Sequence, residues 1–377
     1  MEITFWSSLG FAVYAYVGYP LLLILFSLAQ SRPVRKEQCT PTVSFIITAY
    51  NEEERIGEKL ENTLELSYPE DLLEIVVASD SSSDSTDEIV RSYKSRGVKL
   101  ARSPERRGKE AAQKIAVEGS GGEILIFSDV ATILQADAVL KIVKNFSDPT
   151  VGCVSSVDRF LDQDGRISGE GAYVKYEMFL RSLETKVNSV VGLSGSFFAA
   201  RSAVCKQAWA ESLQSDFNTV LNSIRMGFRG ISDSDSVGYY RNILDERKEF
   251  DRKVRTVLRG ISVFMRSLIL VNPLKYPVFS WQLVSHKLCR WLVPFALLAA
   301  FFSNAALAGS SRAYSALLSV QIGFYAVALA GLMFRPMRQF RLVKLLTFFV
   351  LVNASILQAW IRYWSGERMV IWEPSKR

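Results

Sequence analysis

The sequence is poor in the residues that build metal centres and disulfide frameworks. It contains one histidine and four cysteines in 377 residues. The cysteines are scattered without the spacing of a metal site or a disulfide framework, and we expect them to be reduced. The single histidine, His286, lies near a long apolar segment, which favours a role at an interface over a role in catalysis.

Two common nucleotide-binding fingerprints are also missing. The chain has no Gly-x-Gly-x-x-Gly sequence and no Walker lysine loop. These absences exclude the standard dinucleotide fingerprint and the P-loop as the basis of any nucleotide site.

Charge is missing from long apolar stretches. Phe5–Ala29 carries no charged residue and is long enough to cross a bilayer. It lacks a basic leading region and a small-residue cleavage site, so we interpret it as an anchor and not as a removed signal peptide. Trp291–Gly309, Tyr314–Phe334 and Leu342–Ile361 are further candidate spans, with buried core helices as the alternative.

The net charge of +7 is concentrated beside these spans. Basic residues follow the first span, or lie between the last two spans and at the start of the last one: Arg32, Arg35, Lys36, Arg335, Arg338, Arg341 and Lys344. The positive-inside rule places these clusters, and the polar block between them, in the cytoplasm. The tail also carries basic residues, so its side stays open. A membrane surface explains the charge better than nucleic acid does.

The polar block alternates strand and helix patterns. Its predicted strands are Val43–Thr48, Leu73–Ala78, Lys99–Arg102 and Ile124–Phe127. Helical patterns lie between them, which predicts an α/β fold with a mostly parallel central sheet.

Polar side chains follow three of these strands. Tyr50 and Glu52 follow the first, Asp80 the second and Asp129 the fourth. Ligands of open parallel sheets bind outside the carboxyl ends of the strands. An acid there can hold Mg²⁺ against a substrate's phosphates. Taken alone, Asp129 is equally explained as a turn residue or helix cap.

A basic loop precedes the helix at Glu110–Glu118. Arg106, Arg107 and Lys109 bring positive charge to a helix N-terminus, which already favours phosphate. The alternative for the arginines is a solvated loop. The convergence of these residues on one rim predicts a nucleotide diphosphate with a metal.

A second polar group lies further along the chain. The small-residue run Val191–Phe198 lets backbone approach a hydroxyl-rich ligand. Asp216 follows at the start of a helical pattern, where an N-cap is an equally good explanation.

These segments resemble family 2 glycosyltransferases with the A-type glycosyltransferase fold, over about Pro41 to Arg259. The motifs that carry the resemblance are Ala49-Tyr50-Asn51-Glu52, the Asp80–Thr86 turn, Arg106-Arg107-Gly108-Lys109 and Gly192–Arg201. The C-terminal spans and residues 366–374 resemble the membrane-bound polysaccharide-synthase branch.

The resemblance implies roles for individual residues. It implies nucleotide binding by Thr48, Tyr50, Glu52, Asp80, Arg107, Lys109, Arg252 and Arg255. It implies acceptor binding by Gly192, Ser194 and Gly195. It makes Asp129 the metal ligand, for Mg²⁺ or Mn²⁺, and Asp216 the catalytic base.

Three positions depart from the family pattern. Ala131 replaces the second acid of the metal motif, and Ser215 replaces the glutamate before Asp216. Thr256 stands where processive synthases carry a tryptophan that is expected to stack on the acceptor sugar. This last change favours transfer of one or a few sugars over polymer extrusion.

The resemblance implies a membrane-bound inverting hexosyl- or N-acetylhexosaminyl-transferase. We expect a UDP-sugar donor and a lipid-linked or glycan acceptor. One alternative is a processive synthase that secretes a polysaccharide. The other is a catalytically silent protein that binds sugar nucleotides within a synthase complex.

The expected organisation has four parts. They are an anchor and basic linker at 1–39, a cytoplasmic glycosyltransferase domain at 40–260, interfacial helices at 261–290, and three spans with a tail at 291–377. An integral protein of a bacterial-type inner membrane is expected. For Asn272–Lys287, a plain linker is the alternative to an interfacial segment.

Overall fold

The computed structural model describes residues 1–161, 172–241 and 246–368. Residues 369–377, which include the end of the 366–374 segment and the last two basic residues of the tail, lie outside this description. The chain divides into two compact units, which we describe separately. One comprises Leu23–Ile243 and Val263–Phe279, and the other comprises Met1–Leu22, Leu244–Ser262 and Ser280–Arg368.

The first unit contains a seven-stranded sheet of order β3-β2-β1-β4-β6-β5-β7 within the described residues. The strands are β1 (Val43–Ala49), β2 (Leu73–Ser79), β3 (Val98–Arg102), β4 (Ile124–Asp129), β5 (Val151–Leu161), β6 (Phe197–Arg201) and β7 (Arg229–Arg241). Strand β6 runs antiparallel to both of its neighbours, and the other pairs are parallel. The prediction of a mostly parallel α/β sheet is confirmed.

Helices of this unit cover the sheet. They are α3 (Ile56–Leu64), α4 (Thr86–Ser92), α5 (Lys109–Gly119), α6 (Ala138–Val143), α7 (Ala172–Val187), α8 (Ser202–Gln207) and α9 (Ser215–Arg225). Strand β1 is buried along its whole length, as expected of a central strand with both faces covered. The apolar run Ile124–Phe127 is likewise buried between β1 and β6. This burial fixes the strand ends from which the polar residues project.

The second unit is helical. Its helices, some of which extend across the unit boundaries, are α1 (Glu2–Val13), α2 (Tyr19–Ala29), α10 (Glu246–Met265), α11 (Pro277–Leu283), α12 (Arg290–Leu307), α13 (Arg312–Met333) and α14 (Arg341–Trp364). Four helical segments of the described chain are long and apolar enough to cross a membrane: Glu2–Ala29, Pro277–Leu307, Arg312–Met333 and Arg341–Trp364. Inside this unit, the Trp360 indole donates to the Trp291 carbonyl at 3.0 Å.

The helical boundaries differ from the expected division of the chain. Helix α10 runs through the expected boundary at 260/261, and one 31-residue helical segment, Pro277–Leu307, runs through the boundary at 290/291. A π-helical turn, Val284–Cys289, joins α11 to α12 in that segment. His286 and Arg290, within this segment, are both buried.

Candidate active site

Asp129 ends strand β4 and faces the first residue of α5. Lys109 Nζ lies 2.6 Å from Asp129 Oδ1 and also donates to the Gly195 carbonyl at 3.2 Å. The Asp129 side chain is 27% exposed, so one of its oxygens can still meet a ligand. Gly108, just before Lys109, has a φ of 102°, a conformation that favours glycine and turns the loop into the helix. The structure thus brings two of the predicted residues together.

Sequence reasoning missed a second lysine at this turn. Lys59 is buried, and its Nζ donates to Ser128 Oγ at 2.8 Å and to the Thr132 carbonyl at 2.7 Å. It therefore ties together the two ends of the turn that carries Asp129. Burial lowers the pKa of Lys59 to about 7, although the Asp129 charge opposes the shift. Its place on the buried stripe of α3, three residues after Ile56, was the available signal.

Asp80 is fully buried and holds the basic loop. Its carboxylate accepts hydrogen bonds from the backbone N–H groups of Arg107 at 2.9 Å and Gly108 at 2.9 and 3.0 Å. Burial raises the pKa of Asp80, and the two backbone donors oppose that rise. The predicted contact between Asp80 and a nucleoside is thus accompanied by a structural role, because Asp80 shapes the loop that precedes Lys109.

Tyr50 and the residues around it form the next part of the rim. The Arg106 guanidinium lies 3.9 Å from the centroid of the Tyr50 ring. Thr48 Oγ1 accepts from Gln113 Nε2 at 3.0 Å. Glu52 pairs with Arg55 at 2.6 Å. Burial raises the pKa of Glu52, while Arg55 opposes that rise.

Backbone strain also concentrates at this rim. Among the described residues, the non-glycine positions with positive φ are Asn51, at 50°, and Ser81, at 57°. They follow β1 and β2, and Asn51 Oδ1 accepts from the Ser83 N–H at 2.9 Å. Such strain is held only where the surroundings fix it, and it is frequent at ligand sites.

Asp216 lies beside the predicted acceptor segment. It is the second residue of α9, and Gln214 occupies the N-cap position. Its Oδ1 accepts from the Phe217 N–H at 2.7 Å, and its Oδ2 accepts from Gln214 Nε2 at 3.1 Å. A Cβ placed on Gly195 would lie 2.7 Å from Asp216 Oδ2. Only glycine allows this approach.

The other predicted acceptor and phosphate residues are placed as follows. Ser194 is 2% exposed and Gly192 is also buried, whereas Gly195 is partly exposed. Arg107 extends from the loop to Glu211, at 2.7 Å. Arg252 lies in α10, where it pairs with Glu249 at 2.8 Å, and Arg255 lies one turn further along. Contact of Arg252 and Arg255 with a diphosphate stays a prediction.

A divalent cation fits this site only as a partner of the substrate. No group of three or more His, Cys, Asp or Glu side chains in the described part of the chain is arranged to hold a metal. Asp129 is a single carboxylate at a strand end, and Ala131 adds no ligand. Mg²⁺ is commonly bound by one or two carboxylates together with substrate phosphates and water. The donor set therefore fits a metal that binds together with a diphosphate.

The chain is similar in sequence to several known proteins. Residues 44–209 match the family described as "Glycosyl transferase family 2". The chain is 28% identical over 159 residues to a poly-beta-1,6-N-acetyl-D-glucosamine synthase of Staphylococcus epidermidis. The matched region covers 40% of this chain and 38% of that protein. It is 29% identical over 163 residues to the protein of that name from Staphylococcus aureus strain COL, covering 41% and 38%. The chain thus spans well under half the length of these relatives.

A solved structure matches nearly the whole chain. The mannosyltransferase PcManGT from Pyrobaculum calidifontis, solved with GDP-Man and Mn²⁺, superposes with a TM-score of 0.73 at 25% sequence identity. The match covers 94% of this chain and 98% of the other. The similarity therefore extends beyond the sheet to the helices that follow it.

Proposed function

Residues 44–209 form a family 2 glycosyltransferase domain, and on this premise we propose that the chain transfers a sugar from a nucleotide-diphospho-sugar to a lipid-linked or glycan acceptor with inversion at the anomeric carbon. One observation carries the proposal: the contact chain from Asp129 through Lys109 and Gly195 to Asp216. It links a residue suited to the leaving diphosphate with a residue suited to the attacking hydroxyl.

Asp216 serves as the general base. As the acceptor oxygen attacks the anomeric carbon, the Asp216 carboxylate takes the hydroxyl proton. Because Gly195 has no side chain, the Asp216 carboxylate can pack directly against the backbone of residue 195. Positioning of the two substrates supplies much of the remaining acceleration.

Lys109, Arg107 and the N-terminus of α5 act at the leaving group. Their positive charge stabilises the negative charge that develops on the departing diphosphate. Asp80 keeps the loop in place by binding two of its backbone N–H groups. When bound, Mg²⁺ or Mn²⁺ on Asp129 supplies further neutralisation of the diphosphate.

The names of the similar proteins suggest which sugar and which nucleobase the donor carries. The synthases are named for N-acetylglucosamine, and PcManGT was solved with GDP-Man. We therefore expect either UDP-GlcNAc or GDP-mannose to be among the donors that react, with a UDP-sugar as the first expectation. Thr256, at the position of the processive tryptophan, supports transfer of one or a few sugars.

The proposed setting is a membrane. Four segments of the described chain, including Glu2–Ala29 and Pro277–Leu307, are long enough to cross it. The basic residues beside them favour a cytoplasmic catalytic domain. A lipid-linked acceptor would then meet the enzyme at the bilayer surface.

The test uses the full chain purified in detergent. Each of a panel of labelled donors, including UDP-GlcNAc and GDP-mannose, is incubated with membrane lipid extract and Mn²⁺ or Mg²⁺. We expect one donor to be consumed and its sugar to appear in a short product. Nucleotide binding without consumption of any donor would favour the silent scaffold, and a long polymer would favour the processive alternative.

A further inference from the structure

The segment Ser194–Ser196 connects the parts of the candidate active site. The Ser196 carbonyl accepts from the Asp129 N–H at 3.0 Å and from Thr132 Oγ1 at 3.1 Å. The Gly195 carbonyl accepts from Lys109 Nζ, and the Gly195 Cα faces Asp216. The segment therefore adjoins Asp129, Lys109 and Asp216.

A third carboxylate holds the same segment. Asp158, on β5, accepts hydrogen bonds at Oδ1 from the hydroxyl of Ser194 and, at 3.1 Å, from the hydroxyl of Ser196. The two serine oxygens are 2.9 Å apart. Ser155 Oγ fixes the Ser194 N–H at 2.8 Å. Neither the sequence motifs nor the family resemblance had singled out Asp158.

The two oxygens of Asp158 differ. The serine hydroxyls occupy Oδ1, whereas Oδ2 makes no hydrogen bond to a residue that the structure describes. The side chain is half-buried, so Oδ2 remains open to a ligand. An ionised carboxylate only accepts hydrogen bonds. The group that Oδ2 meets must therefore be a donor, such as a hydroxyl.

The charge around the segment leads to the same conclusion. Asp158 and Asp216 both adjoin it and both repel an anion. Lys109 donates to the Gly195 carbonyl of the segment, but its charge is paired with Asp129. Arg181, beside the segment, donates to Ser155 Oγ at 3.1 Å and to the Leu193 carbonyl at 3.5 Å. A phosphate requires cations or N–H donors, as at a helix N-terminus or an arginine fork.

We propose that Asp158 orients the acceptor through Oδ2 and that the group presented to Asp216 is a hydroxyl of a neutral carbohydrate, not the oxygen of a lipid phosphate. This inference rests on the proposed function, and it selects the acceptor class that the transfer reaction leaves open. A lipid-linked acceptor fits only if a sugar separates its lipid phosphate from the reacting hydroxyl.

The test compares two acceptors with the labelled donor that wild type consumes. One acceptor is a neutral alkyl glycoside or oligosaccharide, and the other is a polyprenyl monophosphate in detergent. We expect label to be transferred to the neutral glycoside and not to the phosphate. Transfer to the polyprenyl phosphate alone would overturn the proposal.

Asp158→Asn separates a binding role from a structural one. Its Oδ1 can still accept from Ser194 and Ser196, while an NH₂ group replaces the free oxygen. We expect the KM for the neutral acceptor to rise about tenfold, the loss expected for one hydrogen bond to a charged group. The KM for the donor, measured by its slow hydrolysis without acceptor, should not change.

Two further variants complete the design. Asp71→Asn makes the same chemical change at an exposed carboxylate, and it should leave both KM values unchanged. Asp158→Ala should raise the acceptor KM at least as much as Asp158→Asn. An unchanged acceptor KM in Asp158→Asn would overturn the role of Asp158 alone. A wild type that consumes no donor would instead overturn the proposed function, and the inference with it.

Discussion

Gly195 and Asp216 stand in such close contact that a Cβ on Gly195 would lie 2.7 Å from Asp216 Oδ2. Real Cβ atoms do not approach an oxygen that closely, so any side chain at residue 195 must displace the carboxylate. The relationship places the proposed base directly against the backbone of the acceptor segment. A methyl group added at residue 195 therefore tests whether the position of the Asp216 carboxylate matters for activity.

Gly195→Ala should reduce transfer while leaving donor binding intact. The added methyl group pushes the Asp216 carboxylate away, and a misplacement of about 1 Å can cost about a hundredfold in rate. The measurement is kcat for transfer beside the Kd for the free nucleotide. Gly119→Ala is the matched control, because nothing lies within 4 Å of its added Cβ. Equal kcat values in the two variants would argue against a base at Asp216.

Asp129→Asn should weaken the binding of a divalent cation. Asn keeps the shape but removes the charge that pairs with Lys109 and attracts a metal, so we expect kcat/KM for the donor to fall by about 10²–10³. Titration of chelated wild-type protein with Mn²⁺ should restore activity, and the variant should need a higher concentration. Full activity of wild type in excess chelator would contradict a metal at Asp129.

Lys59 should give the protein a pH-dependent stability. Its pKa of about 7 in the folded state lies below the ordinary value of 10.5. Between these values the unfolded chain binds a proton that the folded chain does not, so the free energy of unfolding rises with pH. The slope is at most about 1.4 kcal/mol per pH unit. Below pH 7, Lys59 is charged in both states and the cost of its burial remains in full.

Lys59→Met removes the titrating amine and should flatten the dependence of the free energy of unfolding on pH. The measurement is the unfolding midpoint of both proteins in detergent between pH 6 and 8.5. This window avoids the thiols: burial raises the pKa of Cys153 from 9.0 to about 12, which lowers stability above pH 9. Parallel pH profiles for wild type and variant would show that Lys59 does not titrate in this range.

Periodicity and strand length predicted the first four strands of the sheet well. Ile124–Phe127 and Val43–Thr48 form central strands, because short apolar runs flanked by turn residues have few alternatives. Parallel pairing with β1 then places Asp80 and Asp129 at the same edge of the sheet. The additional strands β5, β6 and β7 had no such signal, because their alternation is weak and their partners are distant in sequence.

The placement of other residues depends on contacts between parts of the chain that are distant in sequence. Asp216 was ambiguous between a cap and a base, and its place beside Gly195 depends on how α9 packs against the sheet. Lys59 and Asp158 were not predicted, since neither lies in a motif and each matters through contacts with residues more than thirty positions away. The helical segment Pro277–Leu307 contains Arg290, whose burial was not visible in the sequence.

The central claim, that Asp216 is the base of a glycosyl transfer, is tested most directly by Asp216→Asn. The measurement is transfer of label from the preferred sugar nucleotide to acceptor, alongside nucleotide binding by the same preparation. Because general-base catalysis contributes about 10²–10⁴ in rate, we expect transfer to fall by at least about a hundredfold with nucleotide affinity unchanged. Transfer at the wild-type rate by a variant that binds nucleotide normally would contradict the account.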